Sequence, residues 1–224
     1  MKTYRFQDIQ YHIQQHNLLV PLDILLVGGT GTGKSSTLNA LFEATVAKVG
    51  DGVDPETQEV SSHSLHDYLR FHDSAGLGDG KENDLRHSKN ITWELQKTCN
   101  DTNHFMDLVM VILDGGSRDL GTAFQLLETV VLKVIEPQRV IVAINQADIA
   151  LKGRNWNNHT RKPEPELLSF LEEKACSVKR RINESTGLTI NKPIYYSAKF
   201  GYNVDILVDH IINHFPKQRR LVKN

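Results

Sequence analysis

Residues 28–35, Gly28-Gly29-Thr30-Gly31-Thr32-Gly33-Lys34-Ser35, are the stretch whose reading decides the fold. They place Gly28, Gly33, Lys34 and Ser35 at the spacing G-x-x-x-x-G-K-[ST], the phosphate-binding P-loop pattern. The apolar run LDILLVG (22–28) precedes it and is long enough for a buried strand. STLNALFEATVA (36–47) follows, with Leu38, Leu41 and Phe42 at helical spacing. Strand, glycine turn and helix are the context the pattern requires. Successive backbone N–H groups along Gly28, Gly29, Thr30, Gly31, Thr32, Gly33, Lys34, Ser35 and Ser36, with the positive end of the helix dipole, form the expected cradle for a β-phosphate. Lys34 is expected to reach the β- and γ-phosphates as a point charge, and the Ser35 hydroxyl to ligate Mg²⁺.

The composition allows one α/β domain with a substantial core: 224 residues, 39% hydrophobic, 24% charged, with a formal net charge of −1. That balance argues against disorder and against a basic surface made for nucleic acid. No apolar stretch approaches the roughly 20 residues needed to cross a membrane. The N-terminal stretch is polar and mixed, unlike a secretory signal. Cys99 and Cys176 lack partnered spacing and are expected to remain thiols, so a reducing, cytosolic location is the default.

Around the P-loop the chain alternates. Residues 1–20 read as an amphipathic helical extension carrying Phe6, Ile9, Ile13 and Leu18. A Gly/Asp/Ser/Thr-rich loop (48–64) leads to a strand ending at Asp73-Ser74-Ala75-Gly76, then a polar helix at about 82–100. MDLVMVILD (106–114) and RVIVAIN (139–145) are continuous apolar runs, expected as strands buried on both faces, with a helix at 119–135 between them. A long polar loop (153–165), a charged helix (about 166–184), the strand PIYYSA (193–198) and a helix at 204–214 complete the domain. The prediction is a three-layer α/β P-loop NTPase domain over 21–216, with a mostly parallel sheet of about six strands and helices on both faces. The ligand is expected beyond the C-terminal strand ends. The basic tail 217–224 reads as a solvated end, with contact to RNA or anionic lipid as the alternative. His63, His66 and His72 cluster in sequence without a recognised zinc spacing.

Two later strand ends bear on the base: Asn145-Gln146-Ala147-Asp148 and Ser197-Ala198-Lys199. With the P-loop and the Asp73-x-x-Gly76 motif, these make the chain resemble an Era-like small GTPase of the translation-factor-related class over about residues 22–215. It looks most similar to the bacterial YfjP/YeeP type, which shares the Asn-Gln-Ala-Asp variant. The resemblance implies GTP and GDP with Mg²⁺ as ligands. Asp148 would accept hydrogen bonds from guanine N1–H and the 2-amino group. Adenine offers no donors at those edges, so a buried carboxylate left unpaired would reject ATP. Asn145 would brace the loops around the base, and Ala198 would give its N–H to guanine O6, with Ser197 and Lys199 shaping the turn. Gln146 stands where most relatives have a lysine whose amine ties back to the P-loop. The shorter, uncharged side chain implies weaker affinity with the choice of guanine kept.

The same resemblance makes Asp73 a water-mediated Mg²⁺ partner and the Gly76 N–H a γ-phosphate contact. Thr57 would be the switch threonine that closes over Mg²⁺, with Thr45, Ser61 and Ser62 as competing hydroxyls. Leu77 follows Gly76 where Ras-type relatives place a glutamine that orients the attacking water. Gly31 replaces the P-loop asparagine by which some relatives hold potassium. Arg118 could act as an arginine finger in cis, although a loop arginine is more often a solvated charge. The implied enzyme is a slow GTPase switch, with turnover on the order of 10⁻⁴–10⁻² s⁻¹. An activating protein, or a homodimer through the switch face, would accelerate it. A GTP-binding assembly module with negligible hydrolysis is the alternative. Era carries an RNA-binding module after its GTPase domain. This chain ends shortly after its last predicted helix, so RNA or ribosome binding is not carried over.

Overall fold

The computed structural model describes residues 3–43, 60–78, 80–117 and 121–222. Thr45, Thr57 and Arg118 lie outside the described residues. The elements run α1 (Thr3–Gln15), β1 (Leu22–Gly28), α2 (Lys34–Phe42), β2 (Ser61–His66), β3 (Leu69–Asp73), α3 (Lys81–Gln96) and β4 (Leu108–Asp114). Next come α4 (Gly121–Leu126), a π-helical turn (Leu127–Val131), α5 (Leu132–Val134) and β5 (Val140–Asn145). A short hairpin β6 (Trp156–Asn157) and β7 (Lys162–Pro163) leads to α6 (Pro165–Thr186), β8 (Ile194–Tyr195) and α7 (Val204–Asn213).

The main sheet has six strands in the order β2-β3-β1-β4-β5-β8. All neighbours are parallel except β2, which runs antiparallel to β3. Side chains alternate across a strand, and the two faces sort accordingly. Leu22, Ile24 and Leu26 of β1 join Leu108, Met110 and Ile112 of β4 under α1, α2 and α7. Leu25 and Val27 join Val109, Val111 and Leu113 under α3, the π-helical turn and α6. Burial on both faces explains why these strands read as unbroken apolar runs. The three-layer α/β expectation is therefore met.

Three local expectations change. The strand expected over 193–198 is shorter, Ile194–Tyr195 beside β5, although the Tyr196 backbone still bonds Ile144 and Ala147. The polar loop 153–165 contains the β6–β7 hairpin, anchored by Trp156 against Phe200 and Tyr202. The helix expected over 119–135 passes through a π-helical turn at 127–131, a departure that apolar spacing does not encode.

The tail is not a solvated end. Arg219 and Arg220 are 8% and 3% exposed. Arg219 pairs with the buried Asp107 carboxylate at the foot of β4, and its Nη2 donates to the Leu19 carbonyl at 2.8 Å. Arg220 donates to the carbonyls of Leu95 (2.5 Å) and Val134 (3.2 Å), closing the exposed ends of α3 and α5. Guanidinium forks suit this task because they can satisfy several carbonyls at once. Burial pushes the Asp107 carboxyl up to about 6, against the pull of Arg219. Arg219→Ala would leave that carboxylate buried without its cation, at a cost of about 3–5 kcal/mol. The expected fall in Tm is roughly 6–20 °C for a domain of this size. Thermal unfolding at pH 7.5 checks this, and an unchanged Tm would return the tail to solvent.

Candidate functional site

Everything singled out in the sequence as a ligand contact, where it falls in the described residues, lies at or just beyond the C-terminal strand ends. The P-loop follows β1, and Gly33 sits at the N-cap of α2 with φ +83° and no side-chain cap. Only glycine takes that backbone conformation freely, and a Cβ there would run into the Asn145 amide. The first N–H groups of α2 are thus left for an external anion. Lys34 is buried, with its Nζ donating to the carbonyls of Gly29 (3.2 Å) and Gly28 (3.4 Å). The Thr32 Oγ1 donates to the Gly29 carbonyl at 2.9 Å, which fixes the turn of the loop.

Ser35 Oγ donates to Asp73 Oδ2 at 2.6 Å, joining the start of α2 to the end of β3. Asp73 is 1% exposed, and its Oδ1 has no hydrogen-bond partner among the described residues. Burial raises its pKa, while the Ser35 bond and the Lys34 charge pull it down. A hydroxyl beside a carboxylate with an unsatisfied oxygen is a hard-oxygen arrangement that fits Mg²⁺. Gly76 lies on the P-loop so closely that a Cβ would stand 2.6 Å from Thr30 Cα. Beyond it the Thr30 N–H donates to the Leu77 carbonyl at 2.7 Å.

The base-side loops are tied by Asn145, which is 1% exposed. Its Nδ2 donates to the carbonyls of Thr32 (3.0 Å) and Gly33 (3.4 Å). Its Oδ1 accepts the Ala198 N–H at 3.0 Å. That N–H was expected to serve guanine O6; in the structure it links the two base loops. Asp148 is 6% exposed and accepts from Ser197 Oγ at 2.6 Å, so Ser197 orients the carboxylate as well as shaping the turn. Lys199 places its Nζ 5.3 Å from the centre of the Phe200 ring.

Gln146, where most relatives have a lysine, reaches back to the P-loop: its Nε2 donates to the Gly31 carbonyl at 2.7 Å. The residue takes φ +60°, which aims the side chain across the site. An amide can replace the ammonium here because the acceptor is a backbone carbonyl, which needs a donor and no charge.

Sequence reading missed four supporting residues. Thr37 Oγ1 bonds both the Gly33 carbonyl (2.7 Å) and the buried Tyr196 hydroxyl (2.7 Å), fastening the P-loop to the β8 end. Lys174 donates to the carbonyls of Asp114, Gly115 and Ser117, holding the loop after β4. Burial lowers the Lys174 pKa, opposed by Asp114. His87 of α3 bonds the Gly76 carbonyl at 2.7 Å. Each looks like an ordinary helix or strand residue, and only its position in space reveals the contact. Of the clustered histidines, His72 bonds Asp23 and Ser62, His63 bonds Ser61, and His66 accepts the Tyr68 N–H.

Ser197→Ala tests the base side of the site. Removing one hydrogen bond to a charged group costs about 1.5–3 kcal/mol in its contribution, so guanine nucleotide affinity is expected to fall roughly 10- to 100-fold. Inorganic pyrophosphate, which uses only the P-loop, should bind as to wild type. Competition titration reads both, and equal losses for the two ligands would remove Ser197 from base recognition.

A family model described as 50S ribosome-binding GTPase matches residues 23–146. Translocase of chloroplast 125 from Physcomitrium patens is 34% identical over 100 residues, 44% of this chain but only 9% of the moss protein's length. Among solved structures, Toc33 from Arabidopsis thaliana in complex with GDP and Mg²⁺ aligns with a TM-score of 0.65 and 14% identity, over 97% of this chain and 93% of that one. Era in complex with MgGDPNP and 16S ribosomal RNA nucleotides aligns with a TM-score of 0.59 and 18% identity, over 90% of this chain and 59% of that one. At such identities the two structures speak for the fold. The family match spans the P-loop, Asp73, Gly76 and Asn145, so the chain belongs to the 50S ribosome-binding GTPase family.

Proposed function

We propose that this GTPase is a Mg²⁺-dependent guanine-nucleotide switch that binds GTP and GDP and hydrolyses GTP slowly. The observation that carries the reading is the chain of contacts from Ser197 through Asp148, and from Ala198 through Asn145 to Thr32. These contacts support the reading by tying the neighbours of the buried Asp148 carboxylate to the P-loop. Asp148 has two oxygens and gives Ser197 one bond, which leaves acceptor capacity for the two donors on the guanine edge.

Ser35 and Asp73 would hold the metal, Ser35 directly and Asp73 through water. A bound Mg²⁺ would supply positive charge that offsets the charge developing on the phosphates. Lys34 would exchange its two carbonyl acceptors for phosphate oxygens. Gly76 would present its N–H to the γ-phosphate, and Thr57 would close over the metal from the other switch loop. The segments at about 48–62 and 74–82 would order around GTP and relax around GDP. Slow turnover follows from Leu77, an apolar and buried side chain that cannot orient water. Arg118 in cis, an activating protein or a second copy could supply what is missing. Support for the second copy comes from Toc33 and Toc159, chloroplast translocon components for whose GTPase activity dimerization is important. The closer likeness to the YfjP/YeeP type, drawn from Gln146, belongs to this proposal too, as does a reducing, cytosolic setting for the exposed thiols of Cys99 and Cys176.

The second reading, a GTP-binding assembly module, is favoured by the same Leu77, whose backbone is bridged to Gly29 of the P-loop. Calorimetric titration with GDP, a non-hydrolysable GTP analogue and ATP in Mg²⁺, followed by single-turnover hydrolysis, separates the possibilities. Micromolar guanine binding without ATP binding is expected, with turnover on the order of 10⁻⁴–10⁻² s⁻¹. Equal ATP and GTP affinity would overturn the base assignment. Guanine binding with no hydrolysis would favour the assembly module, and many turnovers per second by the purified monomer would contradict the slow enzyme.

A further inference from the structure

His87 is 1% exposed and lies on α3, eleven residues past Gly76 in sequence but against it in space. Its Nδ1 stands 2.7 Å from the Gly76 carbonyl oxygen. A carbonyl only accepts, so Nδ1 carries a proton. The other ring nitrogen, Nε2, is buried and has no hydrogen-bond partner among the described residues. A proton there would be a buried donor with nothing to bond, which proteins avoid. The geometry therefore requires the neutral Nδ1–H tautomer.

The bond falls on a residue that cannot hold itself in place. Gly76 has no side chain, and the approach of Thr30 forbids one, since a Cβ would stand 2.6 Å from Thr30 Oγ1 and 2.7 Å from Thr30 N. A glycine peptide turns easily unless its neighbours fix it. From the P-loop side, Leu77 N–H reaches the Gly28 carbonyl at 3.3 Å and the Leu77 carbonyl takes the Thr30 N–H at 2.7 Å. From the α3 side, His87 holds the carbonyl of the same Gly76–Leu77 peptide. That peptide is thereby gripped at both its C=O and its N–H, one step from the N–H assigned above to the γ-phosphate. The Leu77 side chain continues into a groove of about 730 Å³ that α3 walls with Leu85, Ser88 and Trp93.

We propose that His87 is the positioning residue of the γ-phosphate sensor. By fixing the Gly76 carbonyl it aims the Gly76 N–H at the nucleotide and ties the seating of that glycine to α3. The proposal rests on the guanine-nucleotide reading and deepens it. GDP lacks the γ-phosphate, so GDP affinity is an internal reference that a purely structural histidine would move equally.

His87→Leu keeps the bulk and removes the donor. His87→Asn keeps a donor, because Nδ2 occupies the place of imidazole Nδ1 two bonds from Cβ. Affinity for a non-hydrolysable GTP analogue is expected to fall about tenfold in His87→Leu, the size of one lost hydrogen bond. GDP affinity should change less than about twofold, and His87→Asn should restore the analogue affinity to within about threefold of wild type. Equal losses for the two nucleotides, or no loss, in a folded His87→Leu would overturn the proposal. Wild type supplies a test that needs no variant: ¹⁵N NMR of labelled histidine should show a buried Nδ1-protonated imidazole whose signal moves when the analogue replaces GDP. An Nε2-protonated ring, or a signal indifferent to the exchange, would also overturn it. Wild type that binds neither nucleotide would defeat the proposed function itself, whereas nucleotide binding with an unchanged ratio in the variants defeats only the role of His87.

Discussion

One buried amide holds the site together. Asn145 gives two hydrogens to the P-loop carbonyls of Thr32 and Gly33 and takes one from the Ala198 N–H. Asparagine suits this position because it carries donor and acceptor on one short, planar group, and it has no charge to desolvate. A carboxylate could not donate to the P-loop, and a lysine could not accept from Ala198. Because the amide is 1% exposed, its bonds do not compete with water. The phosphate cradle after β1 and the base loops after β5 and β8 thus form one unit. Gln146, reaching Gly31 from the same loop, adds a second strut.

The two ends of the sheet use their polar groups differently. At the C-terminal end, polar groups are left wanting among the described residues: uncapped N–H groups at the start of α2, Asp73 Oδ1 without a partner, and a carboxylate at Asp148 with spare acceptors. Such groups cost free energy until a ligand meets them, which is how a binding site stores its affinity. At the other end, Arg219 pairs with the Asp107 carboxylate, and Arg139, Arg219 and Arg220 donate to backbone carbonyls of Asp107, Leu19 and Leu95. There the polar groups close the fold and leave the chemistry to the opposite face. The Asp23 carboxylate inside β1 belongs with them, held by Arg70 at 2.6 Å and His72 at 2.8 Å.

The parts legible in sequence share a short range. The P-loop, its flanking strand and helix, and the buried strands β4 and β5 are encoded by residues within one or two turns of one another. The contacts that escaped are long-range. Arg219 meets Asp107 across 112 positions, and nothing in a terminal basic run tells a packed strap from a solvated end. Thr37 and Tyr196 meet across 159 positions, and each looks like a plain helix or strand residue. Trp156 stood in a loop rich in Asn and Arg, so its aromatic packing on Phe200 and Tyr202 was hidden by polar neighbours. The contact of Gln146 with the Gly31 carbonyl was hidden in the same way, since its acceptor lies far away in sequence.

The central claim is that Asp148 reads the base by accepting from its edge. Xanthine differs from guanine by a carbonyl in place of the 2-amino group, so it presents an acceptor where guanine presents a donor. Asp148→Asn exchanges one acceptor oxygen for a donor amide. The most direct measurement is therefore the affinity of GDP and XDP for wild type and Asp148→Asn in Mg²⁺. The account predicts that wild type prefers GDP by more than about tenfold and that the variant reverses the preference. A variant that keeps the wild-type order, or wild type indifferent to the two bases, would contradict it.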